Sequence, residues 1–456
     1  MSDSSYTTHT TTSDTEKNDQ ENFEPLDGGM QAWMTVAGSW MIQFCTLGYI
    51  SAFGVYQDYY TREFLSQKSP SEISWIGSFQ LFMQYAPGIL VGRAFDSGYF
   101  HYMIAAGSFI QVVCTFMLSM SHHGQYYQVF LSQAVGIGLG QSLLFLPSLS
   151  IIGHHFKRRR AFATGVAVTG ASCGGIVWPV MLNQLGQRTS FANAIRATGG
   201  VVAALLLCAN LMMHTTRRAR SAHVGGDIRV VKDILTDGAF MVSVIGACFV
   251  CLGFFFPYFY LQLYSIDKGI NPNWAFYTLA ILNAGSVLGR LLPNFFADHI
   301  GPYNMIIPCI AFTSFLLFAL LGSDIKDVAG IVAFALAYGF FSGSYYSLIP
   351  SLISLLAKNI SELGSVLPTL TRSSPLITAY STRMGVAFSC VGLFMLFGSP
   401  IDGALLRTDS PDSYAWSRCI AFCGAMVLCG AATMILSRVL FVHDGRHKAM
   451  GRGQLI

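Results

Sequence analysis

The chain alternates long apolar stretches with short polar gaps, and twelve of these stretches are long enough to cross a lipid bilayer. An α-helix rises about 1.5 Å per residue, so about 20 apolar residues cross about 30 Å of hydrocarbon. Backbone N–H and C=O groups find no water there, which makes helices the expected structure. We place spans 1 to 12 near residues 32–56, 73–94, 100–120, 125–151, 161–183, 195–213, 239–264, 274–297, 301–322, 328–352, 383–406 and 416–441. The pattern therefore predicts an all-α membrane protein with twelve transmembrane helices.

The composition agrees with this pattern. Of the 456 residues, 53% are apolar and 11% are charged, whereas soluble proteins carry about 25% charged residues. We therefore exclude a soluble enzyme, a disordered chain and a nucleic-acid-binding protein, and we expect the lipid bilayer to surround the chain. All 11 cysteines lie inside apolar stretches, where we expect them to act as small apolar side chains and to form neither a disulfide framework nor a metal site.

The distribution of Lys and Arg predicts the orientation. Residues 1–26 are polar and rich in Ser and Thr, which predicts a disordered cytoplasmic tail and not a signal peptide. With both termini in the cytoplasm, 19 of the 27 Lys and Arg residues fall on the cytoplasmic side of the twelve spans. We therefore expect a multi-pass protein of the cell membrane with two cytoplasmic termini, the second tail being residues 442–456.

The two halves of the chain resemble each other. A cytoplasmic linker, residues 214–236, separates a six-helix bundle in residues 27–213 from another in residues 237–441. Three residues of span 4 recur in span 10 at one constant offset: Gly136, Gly140 and Pro147 correspond to Gly339, Gly343 and Pro350. Glycines at four-residue spacing predict close helix packing in lipid. Two related six-helix bundles around a central cavity are typical of secondary transporters.

The number of positions that separates corresponding residues of the two halves increases late in the chain, which indicates an insertion in the second half. The segment 365–381 is polar, contains two prolines and continues neither neighbouring helix. We interpret it as a lineage-specific loop or as a short intron that was translated by mistake.

Four segments carry a resemblance to a known family. They are residues 27–33 before span 1, residues 156–165 with Gly170, Gly174 and Gly175 in span 5, residues 283–298 in span 8, and residues 338–350 in span 10. Together they resemble the major facilitator superfamily and, within it, the fungal monocarboxylate-permease-like branch, over residues 27–441 without the insertion. The resemblance implies the major facilitator fold and secondary transport of a small solute by alternating access.

The chain departs from the better-known animal members of that broader family at two positions. Those members carry a lysine in the first helix, whereas residues 48–53 contain no basic side chain here. They also carry an aspartate one turn before the arginine of span 8, and Ser286 stands there if Arg290 is that arginine. Proton-coupled transport of lactate therefore does not follow from the resemblance, although a proton stays the candidate co-transported ion.

Charged residues within apolar spans are the strongest site candidates, because a charge in hydrocarbon costs several kcal/mol unless it faces protein or water. Arg290 lies eight residues before Asp298 and hence inside span 8. Its guanidinium could bind a substrate carboxylate in a bidentate manner or pair across the two halves as a gate. By the same resemblance, Arg93, Asp96 and Asp298 are candidate gating residues on the cytoplasmic side.

The remaining candidates are polar residues on spans that surround the cavity in the superfamily. With Arg290, the candidate substrate-binding set is Asn283, Gln43, Tyr49, Gln141, Tyr258 and Tyr345; Tyr56, Gln262 and Tyr338 are further candidates. Asp402, late in span 11, is expected near the outer surface in contact with solvent.

These observations favour a secondary active transporter of a small organic solute, in particular a monocarboxylate-like anion. The chain has no phosphate-binding Gly-x-x-x-x-Gly-Lys-Ser/Thr segment, no nucleophile–base arrangement and no cofactor motif. Two alternatives stay open: an efflux pump for a fungal secondary metabolite, and a nutrient sensor that binds solute without transporting it. The oligomeric state cannot be read from the sequence.

Overall fold

The computed structural model describes residues 28–156, 158–215, 228–323, 325–363, 380–406 and 414–444, and these residues are almost entirely helical. The predicted tail 1–26, most of the predicted insertion and most of the C-terminal tail lie outside the described residues. Eleven helices in the described part are long and apolar enough to cross a membrane. With span 2, which is divided into two shorter helices, they confirm the predicted all-α fold with twelve spans.

The first half contains spans 1 to 6. Span 1 comprises Met30–Cys45, Leu47–Ile50 and Phe53–Tyr59 and ends in the π-helical turn Tyr60–Phe64; span 2 comprises Pro70–Tyr85 and Gly88–Asp96; span 3 is Phe100–Ser119. Span 4 comprises Tyr126–Val129, the π-helical segment Phe130–Ile137, Gly138–Ser150 and the short helix Ile152–His155; spans 5 and 6 are Arg160–Arg188 and Phe191–Met212.

The second half contains spans 7 to 12, preceded by a short helix, Ile228–Thr236, that occupies the end of the predicted linker. Span 7 comprises Gly238–Phe254 and Phe256–Asp267; spans 8 to 12 are Pro272–Ile300, Pro302–Ser323, Val328–Leu363, Tyr380–Leu406 and Trp416–His443. Span 10 extends eleven residues beyond its predicted end, and Tyr380 and Ser381 belong to span 11 and not to the predicted insertion. The exact domain boundaries stay predictions.

Span 2 is interrupted at Ala86 and Pro87, where a continuous helix was expected. Pro87 has no backbone N–H to donate and its ring disfavours a regular turn before it. Ser389 of span 11 compensates for the interruption, because its hydroxyl donates to the Ala86 carbonyl (2.8 Å) and accepts from the Ile89 N–H (3.0 Å). The break is therefore stabilised by the opposite half of the molecule.

The two halves meet along two pairs of helices, span 2 with span 11 and span 5 with span 8. Glycines make both contacts close. A Cβ atom at Gly385 would overlap the carbonyl oxygen of Gly88, and one at Gly165 would overlap that of Arg290. Within each half, the predicted close packing at Gly140 and Gly343 is confirmed, against span 3 and span 8 respectively.

Candidate functional site

A cavity lies between spans 1, 5, 7, 8 and 10. Its walls are mainly apolar. Span 7 contributes one aromatic wall, formed by Phe254, Phe255, Tyr258 and Phe259. Span 1 contributes Leu47, Ile50 and Ser51, and span 8 contributes the polar residues Asn283 and Arg290. The cavity thus combines broad apolar surfaces with a few polar groups, as small-molecule sites do.

Arg290 supplies the positive charge of the cavity. Its side chain is 4% exposed, and its Nε donates to the Ser286 hydroxyl at 3.1 Å. A terminal N–H of the guanidinium donates to the Val168 carbonyl of span 5, and the group lies 5.7 Å from the centre of the Tyr346 ring. No aspartate or glutamate among the described residues forms an ion pair with Arg290. The charge is therefore held by neutral groups from both halves.

The helix packing explains why Arg290 can occupy this position. Span 8 lies so close to span 10 that a Cβ at Gly289 would overlap the Phe340 carbonyl. On the other side, Ser286 shares a hydrogen bond of 3.1 Å with Ser172 of span 5. Ser286 thus offers the guanidinium a hydroxyl and not a carboxylate as its partner on span 8. This leaves the positive charge uncompensated by an acidic side chain in the described part of the chain.

Two of the other predicted substrate-binding residues line the cavity with Arg290. The Asn283 amide donates to the Leu279 carbonyl at 2.9 Å and lies against Gly175 of span 5. Tyr258 stacks on Phe254, with 5.7 Å between ring centres, and its hydroxyl is 3.3 Å from the Ser342 hydroxyl.

Tyr345 does not line the cavity, whereas its neighbour Tyr346 does. Tyr345 is buried and packs against Phe254. Adjacent residues of a helix point about 100° apart, so a difference of one residue changes the face. Tyr345 follows Tyr338 by seven residues, about two turns, and so shares the face of Tyr338, which does not line the cavity either. Tyr338 itself donates to the Phe254 carbonyl at the break in span 7 (2.8 Å).

Gln43, Gln141 and Tyr49 are buried near span 1 but outside the cavity lining. The Gln43 amide donates to the Ser148 hydroxyl at 3.0 Å, and the Gln141 amide donates to the Thr46 carbonyl at 3.3 Å. Tyr49 shares a hydrogen bond with the Tyr56 hydroxyl. Gln141 and Gln111 bond the carbonyls of Thr46 and Cys45, where span 1 is broken. Gln43 and Gln141 thus bind other residues of the first half and stabilise its helix packing. Gln262, the further candidate on span 7, is exposed.

Two of the predicted gating residues connect the halves at one end of the molecule. Asp96, at the end of span 2, accepts from the backbone N–H (2.9 Å) and hydroxyl (2.7 Å) of Thr382, at the start of span 11. Asp298 accepts from the N–H groups of Ala161 and Phe162, both at 2.9 Å, at the start of span 5. Each carboxylate thus binds the positive end of a helix dipole in the other half. Arg93 is half-buried one turn before Asp96.

The same end contains contacts that the sequence did not predict. Arg160 donates to the Ser354 hydroxyl and lies 4.1 Å from the centre of the Tyr380 ring, so it connects the first half to the second. Arg383 forms a buried ion pair with Asp237 at 3.0 Å. The two residues of this pair are 146 positions apart, and no local spacing reveals such a contact.

The twelve spans, the central cavity and the paired ends of the two halves define a membrane transporter. Comparison with known proteins agrees: residues 33–378 match the Major Facilitator Superfamily. The chain is 33% identical over 415 residues to "MFS-type transporter 1" of Ophiocordyceps sp., covering 91% of this chain and 86% of that protein. It is 33% identical over 410 residues to "Agnestins efflux protein AgnL12" of Paecilomyces divaricatus, covering 90% and 88%. It is 34% identical over 387 residues to "Aspyridones efflux protein apdF" of Emericella nidulans, covering 84% and 74%.

The chain therefore belongs to the major facilitator superfamily, and it is a multi-pass membrane transporter and not an enzyme. These findings confirm the superfamily and the transporter class predicted from the sequence. The monocarboxylate-permease-like branch stays a prediction.

Proposed function

We propose that the protein exports a secondary metabolite that carries an acidic group on a largely apolar skeleton. One observation carries this proposal: Arg290 is a buried cation in the wall of the central cavity, and no acidic side chain of the described residues pairs with it. A buried charge without a counter-charge is costly. A carboxylate, phenolate or enolate on the substrate would supply that counter-charge through charge-assisted hydrogen bonds.

The rest of the cavity favours a substrate larger and less polar than a simple monocarboxylate. Phe254, Phe255 and Phe259 offer aromatic surface on span 7, opposite the aliphatic side chains of Leu47 and Ile50 on span 1. A small hydrophilic anion would leave these surfaces unfilled, whereas rings or alkyl chains would bury against them. Two of the relatives are named as efflux proteins, for agnestins and for aspyridones, which supports export.

Transport requires that the cavity open to each side in turn. In the arrangement described, Asp96 and Asp298 join the ends of the two halves, which we place on the cytoplasmic side of the cell membrane with both termini. Opening toward the cytoplasm would break these hydrogen bonds and admit the substrate. Arg290 would follow the same movement, because it bonds both to its own span 8 and to span 5.

Uptake of a small monocarboxylate anion together with a proton is the second candidate function. Arg290 would bind that anion equally well, so the charge alone does not separate the candidates. The apolar wall favours export of a larger acid. A nutrient sensor would bind solute at the same cavity without changing its distribution.

The test compares metabolites inside and outside cells. A strain without the gene is complemented with the wild type, Arg290→Ala or Arg188→Ala, and acidic metabolites in cells and medium are quantified by mass spectrometry. Arg188 is an exposed arginine at the end of span 5 and serves as the matched control. We expect the wild type and Arg188→Ala to move an acidic metabolite into the medium. Loss of a charge-assisted contact of about 1.5–3 kcal/mol should reduce export by Arg290→Ala about 10- to 100-fold.

Surface abundance of each variant is measured in parallel with an epitope tag. Export by Arg290→Ala at the wild-type rate and abundance would remove Arg290 from the substrate site. An acidic solute that enters the cells with the wild type would support uptake instead, and an unchanged distribution of all solutes would support the sensor.

A further inference from the structure

Three potential metal ligands meet between spans 11 and 12, outside the lining of the central cavity. They are the Asp402 carboxylate and the thiols of Cys419 and Cys423, and their ligand atoms all lie within 4.8 Å of one another. Asp402 is 2% exposed and both cysteines are fully buried. The expectation that Asp402 contacts solvent is therefore wrong: the side chain points into the helix contact and not outward.

The helix geometry directs all three side chains toward one point. Cys419 and Cys423 are four residues apart on span 12 and hence lie on one face of that helix. The Cys423 thiol donates to Asp402 Oδ1 at 3.2 Å, and the Cys419 thiol donates to the Asp402 backbone carbonyl at 3.5 Å. Span 7 approaches the same turn, because a Cβ at Gly253 would overlap the backbone of Cys423. The helix packing alone thus brings the three ligand atoms together.

The Asp402 carboxylate has few hydrogen bonds to compensate for its burial. Among the described residues, the one hydrogen-bond donor to its carboxylate is the Cys423 thiol, and a thiol is a weak donor. Asp237, the other buried aspartate of the described residues, has a guanidinium partner at 3.0 Å. A buried carboxylate with so little compensation is costly; a bound divalent cation would give its oxygen a direct counter-charge, and with two thiolate ligands the site as a whole would keep one net negative charge.

We propose that Asp402, Cys419 and Cys423 bind one thiophilic divalent cation of the Zn²⁺ type and thereby connect span 11 to span 12. Thiolate sulfur and carboxylate oxygen are both ligands of Zn²⁺, at about 2.3 Å and about 2.0–2.2 Å, and three protein ligands leave a fourth position for water. Binding would release the two thiol protons to solvent and replace the Cys423–Asp402 hydrogen bond by two metal–sulfur bonds and one metal–oxygen bond.

The three residues lie near the ends of their helices. Asp402 lies four residues, about 6 Å of helix, before the end of span 11 at Leu406, and Cys419 lies three residues after the start of span 12 at Trp416. The site is therefore close to the ends of both helices. The sequence alone predicted no metal site, because two cysteines at helical spacing are not informative without the carboxylate from a second helix.

Metal content of the purified full-length protein tests the proposal. The wild type is treated with a chelator, incubated with Zn²⁺ and freed of excess ion, and the metal is counted by mass spectrometry. We expect one Zn²⁺ per chain, and near-complete loss of it in the double variant Cys419→Ser/Cys423→Ser and in Asp402→Asn. The matched control is Cys248→Ser/Cys251→Ser, which removes a buried cysteine pair of span 7 and should keep the ion.

Two further measurements separate binding from folding. Co²⁺ should give a thiolate charge-transfer absorption band in the wild type and none in Cys419→Ser/Cys423→Ser, and Zn²⁺ should raise the unfolding temperature of the wild type but not of this double variant. Size-exclusion chromatography establishes that each variant is folded. A wild type that binds no more Zn²⁺ than the folded double variant would overturn the proposal and leave the thiols as hydrogen-bond partners of Asp402.

Discussion

The two halves share one architecture but bury different polar groups. Among the described residues, every fully buried glutamine lies in the first half: Gln43, Gln80, Gln84, Gln111, Gln133 and Gln141. Every fully buried aspartate or arginine lies in the second half: Asp237, Arg290, Arg383 and Asp402. Amides satisfy backbone and side-chain groups without net charge, whereas buried charges produce a strong local field. The comparison indicates that the first half buries amides, whereas the second half supplies the buried charges, of which Arg290 lines the cavity.

The broken first helix of each half shows the same difference in detail. In span 1, the carbonyls of Cys45 and Thr46 accept hydrogen bonds from Gln111 and Gln141. In span 7, the Phe254 carbonyl accepts from the Tyr338 hydroxyl, and the adjoining residues form the aromatic wall. Both breaks adjoin the cavity, through Leu47 in span 1 and Phe254 in span 7, but side-chain amides satisfy the first break and a tyrosine hydroxyl satisfies the second.

The largest loss of unfolding free energy should come from breaking the buried ion pair of the second half. Arg383 and Asp237 are 5% and 3% exposed at their side chains, so removing one of them leaves the other charge buried. We expect Arg383→Ala or Asp237→Ala to lower the free energy of unfolding by about 3–5 kcal/mol. Denaturant unfolding in mixed micelles provides the measurement. The double variant should lose less than the two single variants together, and strict additivity would show that the pair is not coupled.

Overpacking the contact between the halves should have the next largest effect. Gly385→Val places a branched side chain against the Gly88 backbone, and we expect a loss of about 1–3 kcal/mol in unfolding free energy together with slower transport. Gly200→Val is the matched control, because no atom lies within 4 Å of a Cβ built there. Equal unfolding midpoints for the two variants would contradict the close contact.

Weakening one gate should shift a conformational equilibrium by a smaller amount. Asp298→Asn removes the charge that binds the start of span 5, an interaction worth about 1–2 kcal/mol at a helix N-terminus. We expect the ends of spans 5 and 8 to separate more often, as measured by energy transfer between labels at those ends. Asp233→Asn, on the exposed linker helix, should leave the distance distribution unchanged. If the distribution of label distances for Asp298→Asn equals that of the wild type, the Asp298 carboxylate does not keep the ends of spans 5 and 8 together.

The smallest loss of unfolding free energy should come from replacing a buried glutamine of the first half. Gln43→Leu removes the hydrogen bond to Ser148, whose hydroxyl keeps its bond to the Phe145 carbonyl. We expect a loss of about 1 kcal/mol in unfolding free energy and export at the wild-type rate. A folded Gln43→Leu protein that no longer exports would assign substrate binding to the first half as well, and the contrast between the halves would fail.

The sequence revealed those features that the bilayer itself imposes. Twelve spans follow from the length of the apolar stretches, and Arg290 was singled out because a charge in hydrocarbon is costly, whereas Asp96 and Asp298 became candidates through the resemblance to the superfamily. The break in span 2 was missed, since Pro87 interrupts its helix whereas Pro147 and Pro293 lie inside theirs. Whether a proline interrupts its helix depends on a hydrogen-bonding partner for the freed backbone groups. At Pro87 this partner is Ser389, which lies far away in the sequence.

The site was predicted least well where helix rotation or a distant partner determines the contact. Tyr345 was expected in the cavity, but Tyr346 occupies the wall, because one residue turns the side chain to another face. The ion pair of Arg383 with Asp237 and the position of Asp402 beside two cysteines join helices that no sequence spacing connects. Pairwise contacts of this kind require the three-dimensional arrangement.

The glycine contact between Gly88 and Gly385 has a kinetic consequence. Where spans 2 and 11 touch through their backbones at Gly88 and Gly385, no side chains interlock at that point, so a small rolling movement of one helix over the other meets little steric resistance there. The activation barrier for switching between the two faces of the membrane then arises at the ends of the molecule, where Asp96 and Asp298 must exchange partners. The turnover rate of the transporter should accordingly respond more to these terminal contacts than to the apolar surface along the middle of the interface.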